Sequence, residues 1–195
     1  WLEAENNQED ADAGFRRVPF SRELYIEKED FREVANKKFF RLKLGNEVRL
    51  KNAYIIKAEG CEKDAEGNIT EIHCTYDPKS KSGSGTEESL RKVKGTLHWV
   101  AINEAMPVEV RLYDRLFTDP SPDTHKDTDF MDFINPDSLT VITGYAEPSL
   151  KELKIEDTVQ FQRLGYFTVD PETTSDKMVF NRTVSLRDSW AKLVE

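Results

Sequence analysis

Two cysteines and three histidines are all that 195 residues provide of the softer metal and redox ligands. Cys61 and Cys74 make no disulfide framework, and His73, His98 and His125 are too scattered for a spaced metal site. No apolar run reaches the roughly 18 residues that a membrane-crossing helix needs. A basic-then-apolar leader is also missing, so the expectation is a cytoplasmic chain with reduced thiols. The sequons Asn68-Ile69-Thr70 and Asn181-Arg182-Thr183 then read as chance matches. Neither a nucleophile elbow nor a phosphate-cradling glycine loop is present. Net positive charge is lacking as well: the balance is −9, which argues against non-specific polyanion binding.

That balance is uneven. Residues 1–12 carry Glu3, Glu5, Glu9, Asp10 and Asp12 with no basic residue. Residues 37–57 carry Lys37, Lys38, Arg41, Lys43, Arg49, Lys51 and Lys57 against Glu47 alone. A local basic patch on an acidic body selects one anionic ligand and repels others. The length suits one or two compact units, and a chain that opens on Trp1 is expected to be a piece of something longer.

Strand signals dominate. In 48–58 the residues Val48, Leu50, Tyr54 and Ile56 fall on one face, with Arg49, Lys51 and Lys57 on the other. Leu42 and Leu44 alternate with Arg41 and Lys43 just before. A three-residue loop Gly45-Asn46-Glu47 would pair Leu42 with Leu50 and Arg41 with Lys51, leaving one basic stripe outside. A second hairpin is expected where Asp64–Asn68 separates Tyr54–Ala58 from Ile72–Tyr76. Residues 77–90 are polar and Gly/Ser-rich, and read as a loop with no core to bury. Further strands are expected at 93–100, 108–117, 138–143, 158–164, 165–169 and 177–184. Helical patterns are short, one around Lys28–Asn36 and a turn near Asp127–Phe133. Many short strands punctuated by turns mean an all-β sandwich or barrel, with a boundary near Pro107.

Catalysis finds little support in the residues. His98 lies in the apolar string Leu97-His98-Trp99-Val100, where a structural histidine is expected. Asp127, Asp129 and Asp132 do not have EF-hand spacing and read as a solvated acidic loop. The basic stripe reads either as a sheet face kept from edge aggregation by charge or as a nucleic-acid surface. Arginine makes bidentate contacts to a guanine edge, and Phe39 and Phe40 offer faces on which an unpaired base stacks. Gln160 and Gln162 alternate with Val159 and Phe161, and an outward amide suits a pyrimidine edge.

Six strings carry a resemblance: 16–33 (RRVPFSRELYIEKEDFRE), 41–59 (RLKLGNEVRLKNAYIIKAE), 92–100 (KVKGTLHWV), 107–117 (PVEVRLYDRLF), 144–153 (GYAEPSLKEL) and 180–192 (FNRTVSLRDSWAK). Together, in this order, they resemble the C-terminal anticodon-binding region of the glutaminyl-tRNA synthetase family, particularly its bacterial type. The resemblance implies two six-stranded β-barrels with exchanged strands and short helices. It implies an N-terminal segment 1–19 pairing with the second barrel, a first (distal) barrel over 20–106 and a second (proximal) barrel over 107–195. The catalytic domain, with its ATP and magnesium, would lie upstream, and no cofactor is expected in this piece. Lys79-Ser80-Lys81-Ser82-Gly83 is only superficially similar to the Lys-Met-Ser-Lys-Ser loop of class I synthetases. It has no His-Ile-Gly-His partner and reads as solvated. The implied partners are glutamine tRNA, through its anticodon loop, and the chain's own upstream domain, with no membrane and no DNA.

By position, Arg49 resembles the arginine that contacts the first anticodon base, and Arg41 the one that reads a guanine at the third. Gln160 resembles the glutamine that serves the first and middle bases. Gln162 stands where bacterial relatives commonly carry glutamate. Lys38 and Phe40 stand where relatives often carry glutamine and lysine, which puts a polar contact by Phe40 in doubt and leaves it stacking. Lys51 replaces a common arginine and would serve phosphates. Asn6-Asn7-Gln8 departs from an Asn-His-Pro-like segment, and a further anticodon-reading arginine would precede residue 1. Competing readings are a eukaryotic-type glutamyl-tRNA synthetase, a ribosomal protein that binds 5S ribosomal RNA, and a protein-interaction β module.

Overall fold

The computed structural model describes residues 1–186. The end of the 180–192 string therefore lies outside the described residues. The chain divides into two compact units: Trp1–Ala105 with Glu147–Ser149, and Met106–Ala146 with the residues from Leu150 onward. The structure is all-β, with 41% of its residues in strands and its helices no longer than five residues among the described residues. No helix among the described residues is long and apolar enough to cross a membrane.

The first unit contains β1 (Leu2–Glu5), β2 (Phe15–Val18), β3 (Leu24–Tyr25), β4 (Phe31–Arg32), β5 (Leu42–Lys43), β6 (Glu47–Leu50), β7 (Ile55–Lys63), β8 (Ile69–Asp77), β9 (Thr96–Leu97) and β10 (Val100–Ala101). Its main sheet runs β8-β7-β6-β9, with two-stranded pairs β1-β2, β3-β10 and β4-β5. The 55–77 hairpin forms as its alternation and Asp64–Asn68 turn imply, with Ile56 opposite Tyr76. Asp64 closes the turn by accepting from the Asn68 backbone N–H at 2.7 Å.

The hairpin expected over 41–51 does not form. Instead β5 pairs parallel with β4, Phe31 opposite Leu42, while β6 pairs antiparallel with β7 and parallel with β9. The cause is local. Asn46 folds back, its Oδ1 accepting from the Lys43 N–H at 2.8 Å and its Nδ2 donating to the Arg41 carbonyl. Gly45, at φ +76°, donates to the Ala58 carbonyl, and the Ala58 N–H returns to the Asn46 carbonyl. The strand leaving this knot is thus already docked on β7. Leu42, Val48 and Leu50 all reach the same core, by different partners than alternation alone suggested.

Other departures have similar origins. Lys28–Asp30 forms one 3-10 turn and not a longer helix, because Phe31 is drawn into the core as part of β4. The strand expected over 93–100 is confined to β9 and then β10. Gly95 precedes it at φ +119°, so close to its neighbour that a Cβ there would meet the Phe40 carbonyl oxygen at 2.2 Å. Segment 77–90 is folded, with a 3-10 turn at Pro78–Ser80 and a helical turn α1 at Glu87–Leu90. Ser80 within it is fully buried, donating to the Asp77 carbonyl and accepting from the Ile55 N–H.

The second unit holds β11 (Met106–Tyr113), β12 (Leu139–Ala146), β13 (Thr158–Phe161), β14 (Gly165–Val169) and β15 (Met178–Ser185) in one sheet ordered β12-β11-β15-β14-β13. In this sheet, among the described residues, β11 and β15 are the one parallel pair. Phe161 stacks on Phe167 at 4.4 Å and meets the edge of Phe180 at 5.2 Å, over a core that includes Val108, Val110 and Val169. The turn expected near 127–133 is a 3-10 turn at Phe130–Phe133, capped by Asp129.

Residues 1–19 pair within themselves, β1 on β2, and Leu2, Ala4 and Val18 join the first unit's core. Arg16 on β2 makes a forked pair with Glu147, Nε to Oε2 at 2.6 Å and Nη2 to Oε1 at 3.0 Å. His98 Nε2 lies 3.5 Å from the same carboxylate, a structural place for this histidine. Burial pushes the Glu147 carboxyl up, but hydrogen bonds from His98 and Arg16, with their charges, outweigh it and leave its pKa at about 2. A folded value below the unfolded 4.5 stabilises the fold above that pH, and the stabilisation is lost as pH falls from 4.5 towards 2. We expect Glu147→Gln to lower unfolding stability by about 3 kcal/mol at pH 7. Urea midpoints of variant and parent should converge as the pH approaches 2; a gap that stays constant with pH would contradict this assignment.

Candidate nucleic-acid interface

Segment 36–43 is the aromatic and basic part of the first unit. Asn36 opens it with a side-chain turn, Oδ1 accepting from the Lys38 N–H at 2.9 Å while its carbonyl accepts from Phe39. Leu42 is anchored in the core, and Lys37, Lys38 and Phe40 are left exposed. Each phenyl ring carries a cation. The Arg32 guanidinium lies 5.0 Å from the Phe39 ring centre, and Lys94 Nζ lies 5.6 Å from that of Phe40. Phe39 is half-buried, whereas Phe40 is 54% exposed, which leaves an aromatic surface open to a stacking partner.

Arg41 is held from behind. Its Nε lies 3.4 Å from the carboxylate of Asp30, which is 1% exposed, and its Nη1 donates to the Glu29 carbonyl at 3.1 Å. A guanidinium has five N–H donors in a rigid plane. One is spent on the Glu29 carbonyl, the ion pair with Asp30 holds the Nε edge, and the others are left in a set plane.

The stripe of Arg41, Lys43, Arg49 and Lys51 does not exist as one face, because the hairpin that would gather it is absent. Arg49 on β6 points into the folded 78–91 segment. Its Nη1 donates to the Ser80 carbonyl at 3.0 Å and Ser82 Oγ at 3.2 Å; its Nη2 donates to the carbonyls of Ser89 at 2.9 Å and Arg91 at 3.2 Å. Composition read this segment as solvated; its polar groups are instead satisfied by one arginine and by each other. Lys51 follows the end of β6, ahead of Asn52 at φ +57°, and its ammonium lies near Arg16, Glu5 and Glu147. Partial burial and the Arg16 charge lower its pKa.

Two residues beside this surface went unnoticed in the sequence as site residues, Arg32 and Lys94, and exposed Lys92 is two positions from the second. The run Arg91-Lys92-Val93-Lys94 was the available signal. It reaches Phe40 because Gly95 packs on the Phe40 carbonyl and the Gly95 carbonyl accepts from the Arg49 N–H at 3.0 Å.

In the second unit, Gln160 on β13 is exposed, with Val159 and Phe161 on the opposite, core-facing side. Its cross-strand neighbour Tyr166 is also exposed. Gln162 does not share that strand face. β13 ends at Phe161, and Gln162 is half-buried in the turn that follows, before Arg163 at φ +68°. The first unit thus holds Lys38, Phe40 and Arg41 together, with Arg49 behind the adjoining segment and Lys51 turned elsewhere; the glutamines belong to the second.

Two family models match the chain, both described as the anticodon-binding domain of class I tRNA synthetases (E and Q). One covers residues 1–77 and the other 96–170. The chain is 55% identical over 193 residues to a glutamine–tRNA ligase of Rhodopirellula baltica, covering 98% of this chain and 32% of that protein. With the glutamine–tRNA ligase of Vibrio parahaemolyticus it shares 56% identity over 189 residues, 96% of this chain and 33% of the relative. With that of Photobacterium profundum it shares 54% over 195 residues, 100% of this chain and 34% of the relative. The chain spans about a third of the length of these curated relatives.

Proposed function

We propose, from the premise that this chain belongs to the anticodon-binding domains of class I tRNA synthetases (E and Q), that it binds the anticodon loop of glutamine tRNA. In this reading it is the recognition part of a longer glutamine–tRNA ligase of the cytoplasm. ATP and magnesium would be used in an upstream catalytic domain, which joins glutamine to the tRNA. The first unit would be one anticodon-binding barrel and the second unit the other.

One observation carries the reading: Arg41, fixed by a buried aspartate and a carbonyl, follows an exposed phenyl ring that carries Lys94, a lysine with no acidic partner among the described residues. A pre-set guanidinium fork matches the O6 and N7 acceptors of guanine and loses little entropy on binding. An open aromatic face suits an unstacked base, and anticodon bases are single-stranded. Lys38 adds positive charge at that point, and Gln160 offers an outward amide from the second unit. Gln162 is assigned a supporting contact only, given its place in the turn. Lys51 is left out of the base-reading set because its ammonium lies beside Arg16 and Glu147. Arg49 enters through what it holds.

Titration of the chain against glutamine tRNA, glutamate tRNA, 5S ribosomal RNA and an unrelated tRNA tests the proposal. We expect binding to favour glutamine tRNA, weakly for this chain by itself, and no aminoacylation. Equal affinity for all four, or preference for the ribosomal RNA, would overturn it. Arg41→Ala should weaken binding by roughly 1–3 kcal/mol and relax selectivity at the third anticodon base. Equal losses for cognate and base-substituted anticodons would reduce Arg41 to a phosphate contact.

A further inference from the structure

We propose that Arg91–Gly95 is a phosphate-binding strap for the RNA backbone, acting through Lys92 and Lys94, and that Arg49 is the positioning residue that holds it. The inference rests on the RNA-binding reading above; it makes site residues of Lys92 and Lys94, which the sequence did not mark as such, and gives Arg49 a different role from the one the resemblance implies.

The strap's charges differ in their surroundings. Arg91 is neutralised by Glu47 and by Asp77, the latter at 3.5 Å. Lys92 and Lys94 are exposed and have no acidic partner among the described residues; Val93 between them is half-buried and fixes the backbone. Lys94 overhangs Phe40, so an anion bound there would sit beside a base stacked on that ring. A nucleotide offers that pairing of a flat apolar face with an adjacent phosphate.

Arg49 explains why the strap is where it is. Its four Nη protons meet four acceptors, at Ser80, Ser82, Ser89 and Arg91. No Nη donor pair is left to fork onto a base edge. All four acceptors are uncharged, so the guanidinium's positive charge is not cancelled locally and adds to the field of Lys92 and Lys94. Arg49 therefore ties both ends of the 80–91 segment together while keeping the surface positive.

The test is a salt titration of glutamine tRNA binding. Lys92→Ala combined with Lys94→Ala changes only exposed side chains. We expect it to weaken binding about tenfold at 0.1 M salt and to reduce the slope of log affinity against log salt by about 1.5–2. An unchanged slope, with the parent binding normally, overturns the strap. Arg49→Met and Arg49→Lys are then measured alone and on the double-lysine background. A positioning role predicts that both weaken binding, since lysine keeps the charge but cannot bridge four acceptors. It also predicts that discrimination among anticodon-substituted tRNAs is preserved, and that either change costs less on the double-lysine background than alone. Loss of discrimination at one base, with effects that simply multiply, would make Arg49 a base reader and overturn the positioning role. If the parent chain itself discriminates no tRNA, the functional reading fails first and this inference falls with it.

Discussion

The first unit is organised by the alternation along β6, a strand of only four residues. Val48 and Leu50 are completely buried on one side, and Arg49 stands between them facing the other way. Hydrophobic burial decides where the strand lies, and that decision aims the guanidinium at the backbone of residues 80–91. Pairing on both edges, with β7 and with β9, leaves the strand no freedom of register. A shift by one residue would bury Arg49 and expose both apolar neighbours. The loop, the strap and the setting of Phe40 all follow from that placement.

Much of this fold was legible where one periodicity governed a segment. The 55–77 hairpin, β14, and the inward set Leu42, Val48 and Leu50 follow from alternation and turn chemistry alone. Legibility ended where a side chain competed with the ladder. Asn46 is the clearest instance: its amide bonds the backbone of Arg41 and Lys43 just before it, and the expected 41–51 pairing gives way to β7. The 77–90 segment failed for a related reason. Glycine and serine imply solvation by composition, yet Ser80 and Ser82 find their partners inside the protein, through a residue some thirty positions earlier. Gln162 was misplaced because left-handed Arg163 ends the strand sooner than its apolar pattern does.

The candidate site was legible in part. Arg41 and Phe40 could be named because basic and aromatic residues adjoin there in the chain. Asp30, which fixes Arg41, lay in a stretch that looked helical. Lys94 is distant in sequence from Phe40 and comes to it through the contact that Gly95 permits. Such neighbours are products of tertiary packing, which no local pattern contains. The family resemblance pointed to the same segment, but it could not say that one of its arginines faces carbonyl oxygens.

The path of the chain through Glu147 bears on modularity. Unit membership returns to the first unit for Glu147–Ser149 after forty residues spent in the second. The second unit is therefore interrupted by three residues that belong to the first. A fragment ending at Ala105 would strand the Arg16 guanidinium and His98 without their shared anion. A single cut after Ala105 therefore does not part the two units cleanly, because the first would leave its Glu147 carboxylate behind.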